Sequence, residues 1–230
     1  MAKITQGVIA ADARGRLGSL VFTRGHYGNV IRELAIPLNT RTGPQMAVRA
    51  GVSTLAKRWS TILSDSDRTD WIGLASTVTR YDSLGQIYHP TGMNLYLGCN
   101  QALKQIGQPY IDAAPGSLSV GNPVALTTSW TPPAGPLTVD ASSEPGTHDV
   151  PVIFASAGLP PGRAKTVSFV RQLTYEPANT SGPWDITVEW EAHHGDFVPR
   201  LSVTIGVKYT DDRTGYQSVA AITMVYISPV

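Results

Sequence analysis

A single cysteine, Cys99, stands in a chain of 230 residues. That excludes an intramolecular disulfide framework and any zinc site built on several thiolates, and it leaves Cys99 the expected role of a small buried apolar side chain. Charge is scarce as well. Asp, Glu, Lys and Arg make up 15% of the residues, against about a quarter in an average globular protein. With hydrophobic residues at 42%, this composition predicts a largely folded chain, because disorder goes with high charge and few aromatics. No apolar run is long enough to span a bilayer, and the opening MAKITQGVIAADARGR lacks the apolar segment of a signal peptide. A soluble protein made in a cytoplasm, without membrane insertion, is expected. Missing too are G-x-S-x-G, H-E-x-x-H, a phosphate-cradling P-loop and a G-x-G-x-x-G that follows a strand and opens a helix.

What the chain does have is turn chemistry, with Gly 22 and Pro 17. Residues 17–24 and 30–36 are rich in β-formers, and Gly25-His26-Tyr27-Gly28-Asn29 between them suits a hairpin loop. Residues 4–9 form a weaker third strand pattern. Pro37 ends the second strand, and residues 38–43 read as an extended arm. Pro44 then suits the first turn of a helix. From Met46 through Val48, Val52, Leu55, Ala56, Trp59 and Leu63 the apolar spacing predicts a buried helical stripe.

Ser64-Asp65-Ser66-Asp67 is a capping sequence, followed by a helix over 67–78 with Trp71, Leu74 and Ala75 inward. Residues 81–90 read as a loop, and Thr91-Gly92 opens a third helix to about residue 105. Together these predict a small three-helix bundle with Trp59 and Trp71 as its largest core residues. IDAAPG, residues 111–116, reads as a linker. After it the periodicity alternates: strands are expected over 118–120, 125–130, 137–141, 150–155, 166–174, 184–191, 200–209 and 216–227. Short strands with regular turns are the signature of a β-sandwich.

The fold expected is therefore α+β and multidomain. Strands and an extended arm occupy 1–43, a helical bundle 44–110, a linker 111–116 and an all-β sandwich 117–230. Charge divides along the same line: residues 1–110 hold 12 Lys+Arg against 6 Asp+Glu, and residues 111–230 hold 6 against 11. A basic half joined to an acidic half points to modules with different neighbours.

Two resemblances add to this reading. SLSVGNPVALTTSWTPPAG, residues 117–135, resembles the opening of fibronectin type III domains, and RLSVTIGVKYTDDRTGYQS, residues 200–218, is similar to the late hairpin of that family. The Pro-rich stretch at 158–163 and the long turn at 176–184 depart from the family's compact pattern. The resemblance implies an Ig/fibronectin III-like sandwich without settling its strand order. In the first half, VFTRGHYGNVIR, the spacing of Pro37, Asn39, Thr42, Gln45 and Arg49, and the pair Trp59 and Trp71 resemble a group of phage- and prophage-encoded proteins. Those proteins often carry a C-terminal Ig-like or fibronectin-like domain. That resemblance covers about residues 17–110, implies a virion or phage-related structural role, and brings no catalytic residues with it.

The densest cluster of ligand-type side chains is Glu189-Trp190-Glu191-Ala192-His193-His194-Gly195-Asp196. It reads as a solvated strand face followed by a polar turn rather than as a metal site, since Glu189 and Glu191 would share a face that the histidines do not join. Asp211-Asp212-Arg213-Thr214-Gly215 lacks the spaced oxygens and closing Glu of a calcium loop and reads as a turn. No catalytic residue, metal or cofactor is expected.

The leading expectation is a non-enzymatic structural component of a bacteriophage-like virion, located in the particle, with other virion proteins and copies of itself as partners. Its contact residues are expected among Phe22, Arg24, His26, Tyr27, Arg32, Asn39, Arg41 and Gln45, since Arg and aromatics anchor interfaces. One alternative is a fibronectin-like adhesin using loops 142–149, 179–184 and 193–197, which needs Trp184 and Phe197 exposed. Another is nucleic-acid binding through Arg14, Arg16, Arg24, Arg32, Arg41 and Arg49, although the basic excess is small for a polycationic footprint.

Overall fold

The computed structural model, which describes residues 2–3, 14–25, 28–36, 39, 41–82, 84–130, 135–160, 171–195 and 201–226, turns the glycine-bracketed N-terminal segment into paired strands. Helices and antiparallel sheets are mixed along the chain. Two units are distinguished by their internal packing, Met1–Ala50 with Thr79–Tyr88, and Gly51–Val78 with His89–Val230.

In the first unit, β1 (Ala2–Lys3), β2 (Gly15–Leu17), β3 (Leu20–Gly25) and β4 (Gly28–Glu33) form an antiparallel sheet in the order β1-β4-β3-β2. The β3–β4 register runs from Leu20 opposite Glu33 to Gly25 opposite Gly28. The single strand expected over 17–24 is broken at Gly18, whose φ of 61° is left-handed and cheap only for glycine. Arg16 Nε donates to the Gly18 carbonyl at 2.9 Å across this turn. The strand expected over 4–9 lies outside the described residues. A second hairpin, β5 (Arg80–Tyr81) with β6 (Ile87–Tyr88), replaces part of the loop expected over 81–90. Asp82 closes it locally, its Oδ1 accepting the N–H groups of Leu84 at 2.8 Å and Gln86 at 2.9 Å.

The helix α1 (Gly43–Thr61) starts in the first unit and continues into the second. Here the expected stripe is corrected. Leu55 and Leu63 are buried and Trp59 half-buried, but Met46, Val48 and Val52 are exposed. α2 (Asp65–Thr77) starts in a capping box between Ser64 and Asp67, and α3 (Gly92–Gln105) starts at Thr91, whose side chain accepts the Asn94 N–H. Leu55, Leu63, Trp71, Ala75, Leu95, Tyr96 and Cys99 form one apolar cluster. Trp71 meets Tyr96 edge-on with centroids 5.5 Å apart.

The described residues do not show the expected three-helix bundle. Part of the cover comes instead from non-helical chain, including Tyr110, Ile111, Leu118 and Tyr216. Ile111 and Asp112, at the start of the expected linker, are held against the helices by specific bonds. Buried Asn100 accepts the Ile111 N–H at 2.8 Å and donates to the Ile111 carbonyl at 3.1 Å, while Trp71 Nε1 donates to the Asp112 carbonyl at 2.8 Å. Arg58 forks onto the Asp112 carboxylate at 2.6 and 3.2 Å.

Beyond residue 117, β7 (Leu126–Trp130), β8 (Leu137–Ala141), β9 (Asp149–Ala155), β10 (Arg171–Tyr175), β11 (Trp184–Asp185), β12 (Ser202–Asp211) and β13 (Ala221–Tyr226) form two antiparallel sheets. Their orders are β11-β8-β7 and β10-β9-β12-β13. Leu137 and Val139 from the first sheet share a core with Ile153, Ala155, Val203, Ile205, Val207 and Tyr209 from the second. Residues 118–120, expected as a strand, are not one, and the strand expected over 166–174 is described only from Arg171.

The strand expected over 184–191 is largely a helix. After Asp185 the chain enters α4 (Thr187–His194). Trp184, Ile186, Val188 and Trp190 alternate in sequence, yet Val188 is 73% exposed while the other three are buried. Ile186 and Trp190 are four apart, so a helical turn puts both on the core side and turns Val188 outward. Asp185 favours this turn by accepting the Thr187 N–H at 3.0 Å.

Candidate functional site

The proposed contact residues fall on the first unit, and the sheet sorts them onto two faces. Side chains alternate along each strand, and directly opposed residues share a face. Phe22 stands opposite Gly15 and Ile31, and Leu20 opposite Leu17 and Glu33, so one face gathers Leu17, Leu20, Phe22 and Ile31, with Glu33 and Arg24 toward its ends. Val21 stands opposite Arg16 and Arg32, so the other face carries cations. Phe22 is half-buried and Arg32 exposed. The expected contact set therefore does not form a single patch: Phe22 and Arg32 lie on opposite sides of the sheet.

Arg24 is opposite Asn29. His26 and Tyr27 lie outside the described residues. Asn39 and Arg41 are exposed on the extended arm, and Arg41 adopts a left-handed φ of 46°. The Asn39 side chain accepts a bond from Arg49 Nη1 at 2.9 Å, so the arm and the first turns of α1 are tied together. Gln45 is exposed in the first turn of that helix.

No described residue of this unit is buried. Large apolar side chains are nonetheless open to solvent: Leu17 at 70%, Ile36 at 84%, Val48 at 62%, Tyr81 at 68% and Ile87 at 63% exposure. Tyr81 and Ile87 were hidden in a stretch read as loop, and Val48 in a stripe read as core. The adjacent pair Ile87-Tyr88, unusual for a solvated loop, was the one signal that could have revealed the second hairpin.

The ligand-type cluster near residue 190 is rearranged by α4. Glu189 and Glu191 do not share a strand face, and Asp196 lies outside the described residues. His194 packs on the Trp190 ring at 5.2 Å between centroids, and its Nε2 is buried with no hydrogen-bond partner among the described residues. Burial, with lesser contributions from His193 and Arg171, lowers its pKa below the usual histidine value. Burial and the nearby Glu189 charge raise the pKa of Glu176. Among the described residues no three His, Cys, Asp or Glu side chains are placed to hold a metal ion.

The loop at 211–215 is a closed turn. Buried Asp211 accepts the N–H groups of Arg213 at 2.9 Å and Thr214 at 2.8 Å through Oδ1. Asp149 likewise spends one oxygen on the N–H groups of Gly121 and Gly146. Lys208 lies over the Phe154 ring at 4.7 Å and donates to Gln217 at 2.8 Å, with burial lowering its pKa. An open groove of about 560 Å³ runs between α2 and residues 114–116, lined by Thr69, Gly73, Leu74 and Pro115 among others. None of these places joins a nucleophile to a base that would activate it.

The loop aromatics on which glycan or receptor recognition would depend fare no better. Trp184 is 3% exposed and donates inward to the Thr180 carbonyl, and Phe197 lies outside the described residues. No described helix is long and apolar enough to cross a membrane. Comparison of the chain with protein-family models, with curated proteins and with solved structures finds no match.

Proposed function

We propose that this chain is a non-enzymatic structural component of a bacteriophage-like virion, an assembly or decoration protein of head, neck or tail. In this reading it oligomerises through its N-terminal part and displays an Ig/fibronectin III-like sandwich. One observation carries the assembly half: the unit of Met1–Ala50 and Thr79–Tyr88 has paired strands and exposed large apolar side chains, but no buried residue among those described. A sheet gains stability by covering a hydrophobic face, so such a unit is completed by a partner surface.

The sandwich reading is supported by the division of strands after residue 117, three in one sheet and four in the other around a common core. The helix between β11 and β12 is a further departure from the family's pattern, beside those at 158–163 and 176–184. The virion setting is supported by the resemblance of residues 17–110 to phage and prophage proteins. Light scattering on the full chain across a concentration series tests the assembly reading. Oligomers are expected, and removal of residues 1–43 is expected to leave a monomer; a full chain that stays monomeric at every concentration sinks it.

Exposed Arg16, Arg32, Arg41 and Arg49 favour one second reading, contact with nucleic acid. That reading predicts salt-sensitive retention of the chain on DNA, and absence of retention at low salt removes it.

A further inference from the structure

The two units carry opposite charge. Met1–Ala50 with Thr79–Tyr88 holds 8 Lys+Arg against 3 Asp+Glu, a net of +5. The remainder holds 10 against 14, a net of −4. The positive unit is the one with no buried residue among those described, and it presents Arg16 and Arg32 in register on one sheet face.

The negative unit has a matching feature on α4. Val188 is 73% exposed at the outer side of that helix, with Glu191 one turn further along and Glu189 beside it. Glu176 lies close enough to Glu189 to feel its charge. No cation among the described residues forms an ion pair with Glu176, Glu189 or Glu191; Arg171 of β10 lies near the same helix and acts on His194. An exposed apolar side chain flanked by carboxylates suits the sheet face on which Val21 lies between Arg16 and Arg32.

We propose that the basic N-terminal unit of one copy docks on the acidic α4 face of a second copy, head to tail. The proposal rests on the assembly reading above and names the partner surface. The near-equal and opposite charges of the two units argue for a second copy as the occupant. The contact uses two different patches, so it is heterologous, and repetition yields a ring where the rotation closes and an open filament where it does not. Its charged component is screened by salt, because the Debye length shrinks from about 14 Å at 50 mM to about 4 Å at 500 mM.

Sedimentation velocity on the full chain tests this. Self-association is expected to weaken at least about tenfold between 50 and 500 mM NaCl. Two full-length variants, Arg16→Glu/Arg32→Glu at exposed positions and Glu189→Lys/Glu191→Lys at a half-buried and an exposed position, each reverse one patch. Each alone is expected to remain monomeric where the natural chain assembles, and an equimolar mixture is expected to regain association through the swapped charges. That rescue excludes loss by misfolding. A natural chain that assembles while Glu189→Lys/Glu191→Lys assembles equally well overturns head-to-tail docking and leaves the assembly reading standing. A natural chain monomeric at all salts and concentrations overturns the assembly reading itself.

Discussion

Gly215 sits at a φ of 68°, and a side chain there would run into the carbonyl of Cys99 and the side chain of Leu103. The turn held by Asp211 thus meets the α3 backbone at a distance only glycine permits. Gly215→Ala is expected to cost about 2–4 kcal/mol through strain and overpacking, read from urea unfolding. His194 gives a pH dependence whose sign follows from its depressed pKa. The unfolded chain takes up this proton near the ordinary value of 6.5, whereas the folded chain resists. Stability from this group is fully present above that value and is lost as pH falls through the lowered one. Glu176 acts in the opposite sense, since its raised pKa favours the fold below the usual value of 4.5 and that contribution is lost as pH rises. The His194 contribution is therefore expected to lower the unfolding midpoint between pH 7.5 and 5.5, and His194→Gln is expected to show a smaller drop over that range than the natural chain. An unchanged slope in the variant would show that another group titrates.

At the level of elements, the helix starts are local chemistry and were legible. Ser64 and Asp67 bond reciprocally across the first turn of α2, so Ser64→Ala is expected to lower stability by about 1 kcal/mol in thermal unfolding. The segment at 184–191 was not legible, because Trp184, Ile186, Val188 and Trp190 satisfy a strand's alternation as well as part of a helical stripe. Packing separates the two. Val188→Asp is expected to change stability by less than about 0.5 kcal/mol, and Trp190→Ala to cost about 3–5 kcal/mol. A large cost at Val188 would contradict its outward position on α4. The hairpin of β5 and β6 escaped for a different reason: its strands are two residues each, too short for any period to register.

On the scale of the molecule, the two units are expected to differ in how tightly they are held. The second has its apolar clusters and the Arg58–Asp112 pair, while the first buries none of its described residues. Amides of β3 and β4 in the dilute chain are expected to exchange with deuterium at least about tenfold faster than those of β9 and β12. Assembly is expected to slow exchange in β3 and β4 selectively. Equal protection in both units would mean that the N-terminal sheet is stable without a partner. The candidate contact set shows the same limit of sequence reading. Phe22 and Arg32 were both recognisable as contact types, but the register that puts them on opposite faces is a property of paired strands.

The sequence by itself determined the features that act over a few residues: the caps at Ser64 and Thr91, the charge split between halves, and the alternation of apolar residues along β8 and β12. Each rests on neighbours within one turn or one strand, so it can be read without knowing the rest of the chain. Tertiary structure decided which apolar residues are covered. Leu55 and Val48 lie on the same helix and look alike in sequence, yet Leu55 is fully buried and Val48 is 62% exposed. Only the surface brought up from elsewhere separates them, because burial is a relation between two elements and no single segment contains both.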